Sequence, residues 1–155
     1  MINLSEEQSN GVDLCCDFTK TIACVTGAAG TGKTSVLQVL YERLVDAVIE
    51  KYNVSEEEAK ELIILAAPTG RAAKRIEEAT GISAMTIHRM LRFSVPKDDA
   101  DFGLPAHNKF NLMPYYAILI DEASMVPQDL RRAMIDAMRR GAVIRFFGDI
   151  NQLPP

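Results

Sequence analysis

Apolar positions in this chain switch between two spacings, and the switches mark its elements. Thr21-Ile22-Ala23-Cys24-Val25-Thr26, Leu62-Ile63-Ile64-Leu65-Ala66, Tyr116-Ala117-Ile118-Leu119-Ile120 and Val143-Ile144-Arg145-Phe146-Phe147 are short, nearly continuous apolar runs rich in β-branched and aromatic residues. That is the pattern of strands buried on both faces. Between them apolar residues recur at helical spacing, as helices that cover a sheet require. Helices are predicted over residues 4–17, from Ser35 to Tyr52, over Ala72–Thr80, from Ile87 to Arg92 and from Pro127 to Arg140.

The helix ends carry their own signals. Ser5 with Gln8, and Ser55 with Glu58, have capping-box spacing, and Thr86 reads as an N-cap. Ser55 opens a short acidic helix, whose charges read as a solvated face. Asn53, Gly81 and Gly141 read as stops. Residues 93–113 break the pattern, with Pro96, Asp98, Asp99, Asp101, Gly103 and Pro105 between scattered apolar positions. Connections of that length are usually functional or mobile. A small hairpin pairing Phe93–Val95 with Lys109–Leu112 is predicted there. The order is a helix, then four strands each followed by helix or loop. That predicts a parallel α/β sheet, which binds ligands at the C-terminal ends of its strands.

Composition narrows this picture slightly. The 155 residues are 48% apolar and 25% charged, enough for one domain with a real core. With 17 Lys and Arg against 21 Asp and Glu the net charge is −4, which argues against a broad electrostatic footprint for duplex DNA. A narrow groove tracking one strand remains compatible. No apolar run is long enough for a membrane span, and the N-terminus lacks a basic region followed by an apolar one, so a cytoplasmic protein is expected. The three cysteines, two of them adjacent, form neither a disulfide framework nor a zinc pattern. Free thiols are expected, with Cys24 in the core.

The chemistry concentrates in Gly27-Ala28-Ala29-Gly30-Thr31-Gly32-Lys33-Thr34, followed by Ser35. This is the phosphate-binding loop pattern, and it stands between a predicted strand and a predicted helix, the context it needs. Glycines let successive N–H groups point inward as an anion nest, and the helix start adds its positive end. Lys33 would reach the β- and γ-phosphates, and the Thr34 hydroxyl would ligate Mg²⁺. Without ligand, Lys33 is expected to be exposed. The strand Tyr116–Ile120 delivers Asp121 and Glu122 at its C-terminal end. Asp121 is expected in the Mg²⁺ shell, and Glu122, one residue on, to polarise an attacking water.

Other residues keep two readings. Gln8 is either the cap or, through its amide, a donor–acceptor pair for an adenine edge. Arg71, Lys74 and Arg75 share one helix face, either solvated or functional. For His88 a hydrogen-bonded surface or packing role is the default, because it has no metal-partner pattern.

Taken together, these stretches resemble superfamily 1 DNA helicases. Gly27–Thr34 resembles motif I, Ala67-Pro68-Thr69-Gly70-Arg71-Ala72-Ala73 motif Ia, and Thr86-Ile87-His88 the short motif after it. Asp121-Glu122-Ala123-Ser124-Met125 resembles motif II, Gly148-Asp149-Ile150-Asn151-Gln152-Leu153-Pro154-Pro155 motif III, and Leu4-Ser5-Glu6-Glu7-Gln8 the upstream Gln motif. The set is most similar to the RecD-like and Dda-like branch, superfamily 1B, and covers nearly the whole chain.

The resemblance implies a P-loop NTPase, RecA-like three-layer fold. Its sheet order is 2-3-4-1 in chain numbering, with the fifth strand that flanks strand 1 missing. It implies ATP and Mg²⁺ as cofactors and single-stranded DNA as partner. Gln152 would sense the γ-phosphate and Gln8 would hold adenine, while Thr69, Arg71, Thr86 and His88 would lie along the DNA strand. Residues 93–113 match the place where this branch inserts a strand-separating pin. Residues 1–155 would form the first RecA-like domain, ending before motifs IV–VI. The second RecA-like domain, absent here, supplies an arginine finger worth about 10³–10⁵ in rate in related NTPases. The expected function is the ATPase motor of a 5′→3′ DNA helicase, nearly inactive as an isolated chain. The alternatives are a nucleotide-dependent module that binds single-stranded DNA or protein without useful turnover, and a P-loop kinase. Glu122 beside Asp121 suits a water nucleophile better than a kinase.

Overall fold

The computed structural model describes residues 2–25, 32–94 and 103–148. The loop residues Gly27, Ala28, Ala29, Gly30 and Thr31, and Gln152 of the last motif, lie outside the described residues. Five strands, β1 (Ile22–Val25), β2 (Ile63–Ala67), β3 (Met85–Thr86), β4 (Ala117–Ile120) and β5 (Val143–Phe147), form one sheet in the order β1-β5-β4-β2-β3. Every pairing is parallel. The helices are α1 (Glu6–Cys15), α2 (Lys33–Tyr52), α3 (Glu56–Glu61), α4 (Gly70–Thr80), α5 (Ile87–Met90) and α6 (Gln128–Asp136).

The three layers follow from the alternation of strand side chains. Leu65, Leu119, Val143 and Phe147 face α1–α4, where Leu37, Leu40, Leu44 and Val48 supply one buried stripe of α2. Ile64, Ile118, Ile144 and Phe146 face α5 and α6, against Ile87, Met90, Leu130 and Met134. Strands β2, β4 and β5 are buried throughout, which accounts for their unbroken apolar runs.

The four strands expected from the sequence lie in the expected order, β2-β4-β5-β1, but the sheet holds one strand more. A fifth strand exists, and it lies outside β2 rather than beside β1. Met85–Thr86 is too short to leave a periodic signal; it pairs through Ala66 with Met85 and Ala67 with Thr86. Because β1 is an edge strand, Cys24 is exposed rather than in the core. The hairpin expected within 93–113 is also different. Phe93 bridges Pro105, and Asn108 bridges Asn111 around a turn, because Pro105 and the Asn108 side chain shape the segment locally. Val95 lies outside the described residues.

Most caps form as read. The Ser5–Gln8 box is complete, and the hydroxyls of Ser55 and Thr86 accept from the third residue onward; Thr69, not read as a cap, does the same for α4. Asn53 ends α2 at φ 52°, a left-handed conformation that asparagine tolerates. Three helices are shorter than expected, α1 among them, which runs only over Glu6–Cys15. The last described helix stops at Asp136 and is preceded by a separate 3₁₀ turn, Ala123–Met125, while α5 spans a single turn.

One buried group has no counterpart in the sequence reading. Arg145, in β5, is fully buried on the α1 side of the sheet. Its guanidinium donates to the carbonyls of Cys15 at 2.8 Å, Asp17 at 2.9 Å, Ile144 at 3.0 Å and Thr21 at 3.4 Å. It pins the turn between α1 and β1 to the sheet, and so fixes α1 beside the start of α2. Burial pulls the Arg145 pKa below its usual value, and the carbonyl dipoles compensate the buried charge.

Candidate functional site

The candidate residues that are described gather at the C-terminal ends of the strands. Gly32 stands before α2 at φ 79°, left-handed, and a Cβ there would meet Gln8 Nε2 at 3.0 Å. The left-handed backbone favours glycine there, whereas a Cβ would press only on the flexible end of the Gln8 side chain. Lys33 opens α2, followed by Thr34 and Ser35, both partly buried.

Lys33 does not project into solvent as expected. Its Nζ lies 2.5 Å from Asp121 Oδ1, with side-chain exposures of 36% and 7%. The reason is electrostatic: Asp121 is nearly buried at the end of β4 and needs a cation. Its backbone N–H is held by Ala66 O at 2.9 Å. Positions 88 apart in the chain are thus brought into contact. Glu122 follows at φ 50°, and its carboxylate lies 3.7 Å from Arg75 Nη1 on α4. The end of β5 closes over the same place. Gly148 N donates to Val25 O, and a Cβ on Gly148 would sit 3.1 Å from Ala123 N.

Gln8 faces this centre from α1. It lines a cavity of about 480 Å³ together with Ser5, Gly11, Leu14, Val25 and Lys33. Its Oε1 accepts from Ser5 N–H, so the cap forms. Its amide nitrogen lies toward Gly32. The cap and a base contact therefore draw on different ends of one amide. Cys15 lines the cavity too, and burial pushes its thiol up to about 11, which leaves it an inert thiol.

The four residues assigned to the DNA strand lie at the same end of the sheet. Thr69 and Arg71 follow β2, while Thr86 ends the neighbouring β3 and His88 follows it. Arg71 and His88 are exposed, whereas the Thr69 and Thr86 hydroxyls are engaged as caps. His88 packs edge-on against Phe93, centroids 4.9 Å apart, which agrees with its default reading.

The donor set fits a divalent cation that arrives with a phosphate ligand. Asp121 offers a buried, hard carboxylate oxygen that already holds a cationic group. Among the described residues, no three His, Cys, Asp or Glu side chains cluster to hold a metal by themselves. The remaining ligands must come from hydroxyl and phosphate oxygens, as is usual for Mg²⁺. Sequence reasoning missed three contacts: Lys33 with Asp121, Arg75 with Glu122, and the Arg145 cluster. Helical spacing had placed Arg75 on a basic face, but no sequence signal names a partner across space.

Comparison with known proteins gives concordant results. A family model described as an AAA domain matches residues 12–155. The ATP-dependent RecD2 DNA helicase of Deinococcus radiodurans is 32% identical over 152 residues, which cover 98% of this chain and 18% of that protein. The RecBCD enzyme subunit RecD of Mycobacterium tuberculosis is 31% identical over 164 residues, covering 96% of this chain and 26% of that one. Among solved structures, Pif1 from Bacteroides sp. in complex with ADP-AlF4 is similar with a TM-score of 0.60 at 26% identity, covering 100% of this chain and 34% of that one. The chain therefore spans about a quarter or less of the two curated relatives. No helix among the described residues is long and apolar enough to cross a membrane.

Proposed function

The chain belongs to the AAA domain family, beside the RecD-like ATP-dependent DNA helicases of superfamily 1B, and on that premise we propose that residues 1–155 are the first RecA-like motor domain of a cytoplasmic 5′→3′ DNA helicase. It binds and hydrolyses ATP and couples the reaction to movement along single-stranded DNA. The observation that carries this reading is the contact between Lys33, after the phosphate loop, and Asp121, at the end of β4.

In this reading Gly27–Gly32 cradles the phosphates, and Lys33 leaves Asp121 for the β- and γ-phosphates. Thr34 and Asp121 hold Mg²⁺, which neutralises phosphate charge when bound. Ser35 sits beside them in the first turn of α2. Glu122 takes a proton from the attacking water. Gln152 reports the γ-phosphate, and Gln8 holds adenine. Thr69, Arg71, Thr86 and His88 line the DNA track. Residues 93–113 form a small pin-like insertion, whose described part exposes Leu104 and Phe110. The second RecA-like domain, with its arginine finger and the other wall of the cleft, is the partner of this face. The 155-residue chain alone hydrolyses ATP very slowly and unwinds nothing.

Two substitutions test the assignments separately. Glu122→Gln retains ATP affinity and abolishes turnover, measured by nucleotide titration and phosphate release in the full-length protein. Loss of binding instead would move Glu122 out of the base role. Gln8→Glu keeps an acceptor for the capping box, so stability changes by less than about 0.5 kcal/mol. It removes the amide donor, so preference for ATP over other nucleoside triphosphates falls about tenfold. Unaltered base preference would leave Gln8 as a cap alone.

A further inference from the structure

The basic face of α4 is the sequence feature that the proposed reaction uses least. Arg71, Lys74 and Arg75 are all exposed there. Arg75 nevertheless touches the reaction centre, since its Nη1 lies 3.7 Å from Glu122 Oε1, with side-chain exposures of 68% and 29%. The two ends of this contact are held differently. The Glu122 backbone is fixed in a left-handed conformation between buried Asp121 and the tightly packed Ala123, whereas Arg75 is a long side chain on the exposed face of α4. The guanidinium is thus the partner free to change its company.

We infer that Arg75 is a positioning residue that holds the Glu122 carboxylate against α4 until a phosphodiester of single-stranded DNA on the Arg71–Lys74–Arg75 face takes the guanidinium over. The inference rests on the base role proposed for Glu122. A guanidinium pairs bidentately with phosphate, so an arriving strand competes directly with the carboxylate. The pair is half exposed and screened, so it biases the two arrangements by a factor of about two to five. That is enough to couple the sites and too little to lock them. Coupling of this kind is reciprocal: whatever frees Arg75 from Glu122 must strengthen its hold on DNA.

The reciprocity can be measured without nucleotide. A fluorescent oligothymidylate is titrated into the 155-residue chain, its Glu122→Gln and Arg75→Gln variants, and the double variant. Glu122→Gln should tighten binding about two- to fivefold. The same change should have no effect in the Arg75→Gln background. In a long hydrolysis assay, Arg75→Gln should raise the DNA-free rate by a similar factor and shrink the stimulation by oligothymidylate. Equal tightening by Glu122→Gln in both backgrounds would reveal a general charge effect and overturn the inference, leaving the proposed motor intact. Wild-type hydrolysis by Glu122→Gln would remove the base assignment. Failure of the wild-type chain to bind oligothymidylate would remove its DNA track, and the inference would fall with either.

Discussion

Lys33→Ala is expected to lower ATP affinity by at least about a hundredfold, because charge-assisted hydrogen bonds to the phosphates are lost. It is also expected to lower stability before any nucleotide is added. The ammonium neutralises Asp121, whose side chain is only 7% exposed. Breaking a fully buried pair costs about 3–5 kcal/mol. Lys33 is 36% exposed, so water offsets part of this, and about 1–2 kcal/mol is expected. For a chain of this size that is a fall of about 2–8 °C in melting temperature. Adding Asp121→Asn should restore the melting temperature without restoring ATP binding. Thermal melts and titration with a fluorescent ATP analogue separate the two effects. Unchanged ATP affinity in a folded Lys33→Ala protein would count against the site, and an unchanged melting temperature would count against the ion pair.

Arg145→Ala is the larger stability change. Four backbone carbonyls lose the guanidinium at once, of which Thr21 and Asp17 keep a backbone N–H donor, and the vacated space lies in a packed layer. Hydrogen bonds to a charged group contribute about 1.5–3 kcal/mol each but are not additive, so a loss of about 3–5 kcal/mol is expected. The melting temperature should fall by roughly 10 °C. Arg145→Lys should recover only part of this, since a compact ammonium cannot span carbonyls arranged around a planar fork. Chemical denaturation checks both, and a loss below about 1 kcal/mol for Arg145→Ala would contradict the pinning role.

The contrast between these two residues shows what a one-dimensional pattern can carry. Local rules were readable because they act over a few residues. The caps at Ser5, Ser55 and Thr86 each need one hydroxyl and an N–H three positions on. The strand ending in Asp121-Glu122 was readable because both sheet faces demand an apolar run before the polar break. Arg145 was not, since one arginine in Val143–Phe147 resembles an edge position until the carbonyls of Cys15 and Asp17, some 130 residues away, are brought beside it. Met85–Thr86 escaped notice because two residues have no period. Cys24 was misplaced because strand order, not strand sequence, decides which strand is an edge. Lys33 and Asp121 were each singled out, but their pairing depends on β5 and β4 lying in register next to β1, which only the sheet determines.

A crystal structure of this chain with Mg²⁺, ADP and aluminium fluoride tests the central claim most directly. The account predicts Lys33 Nζ on the phosphate mimic, with the metal between Thr34 and Asp121. A nucleotide bound elsewhere, with the Lys33–Asp121 pair intact, would contradict it.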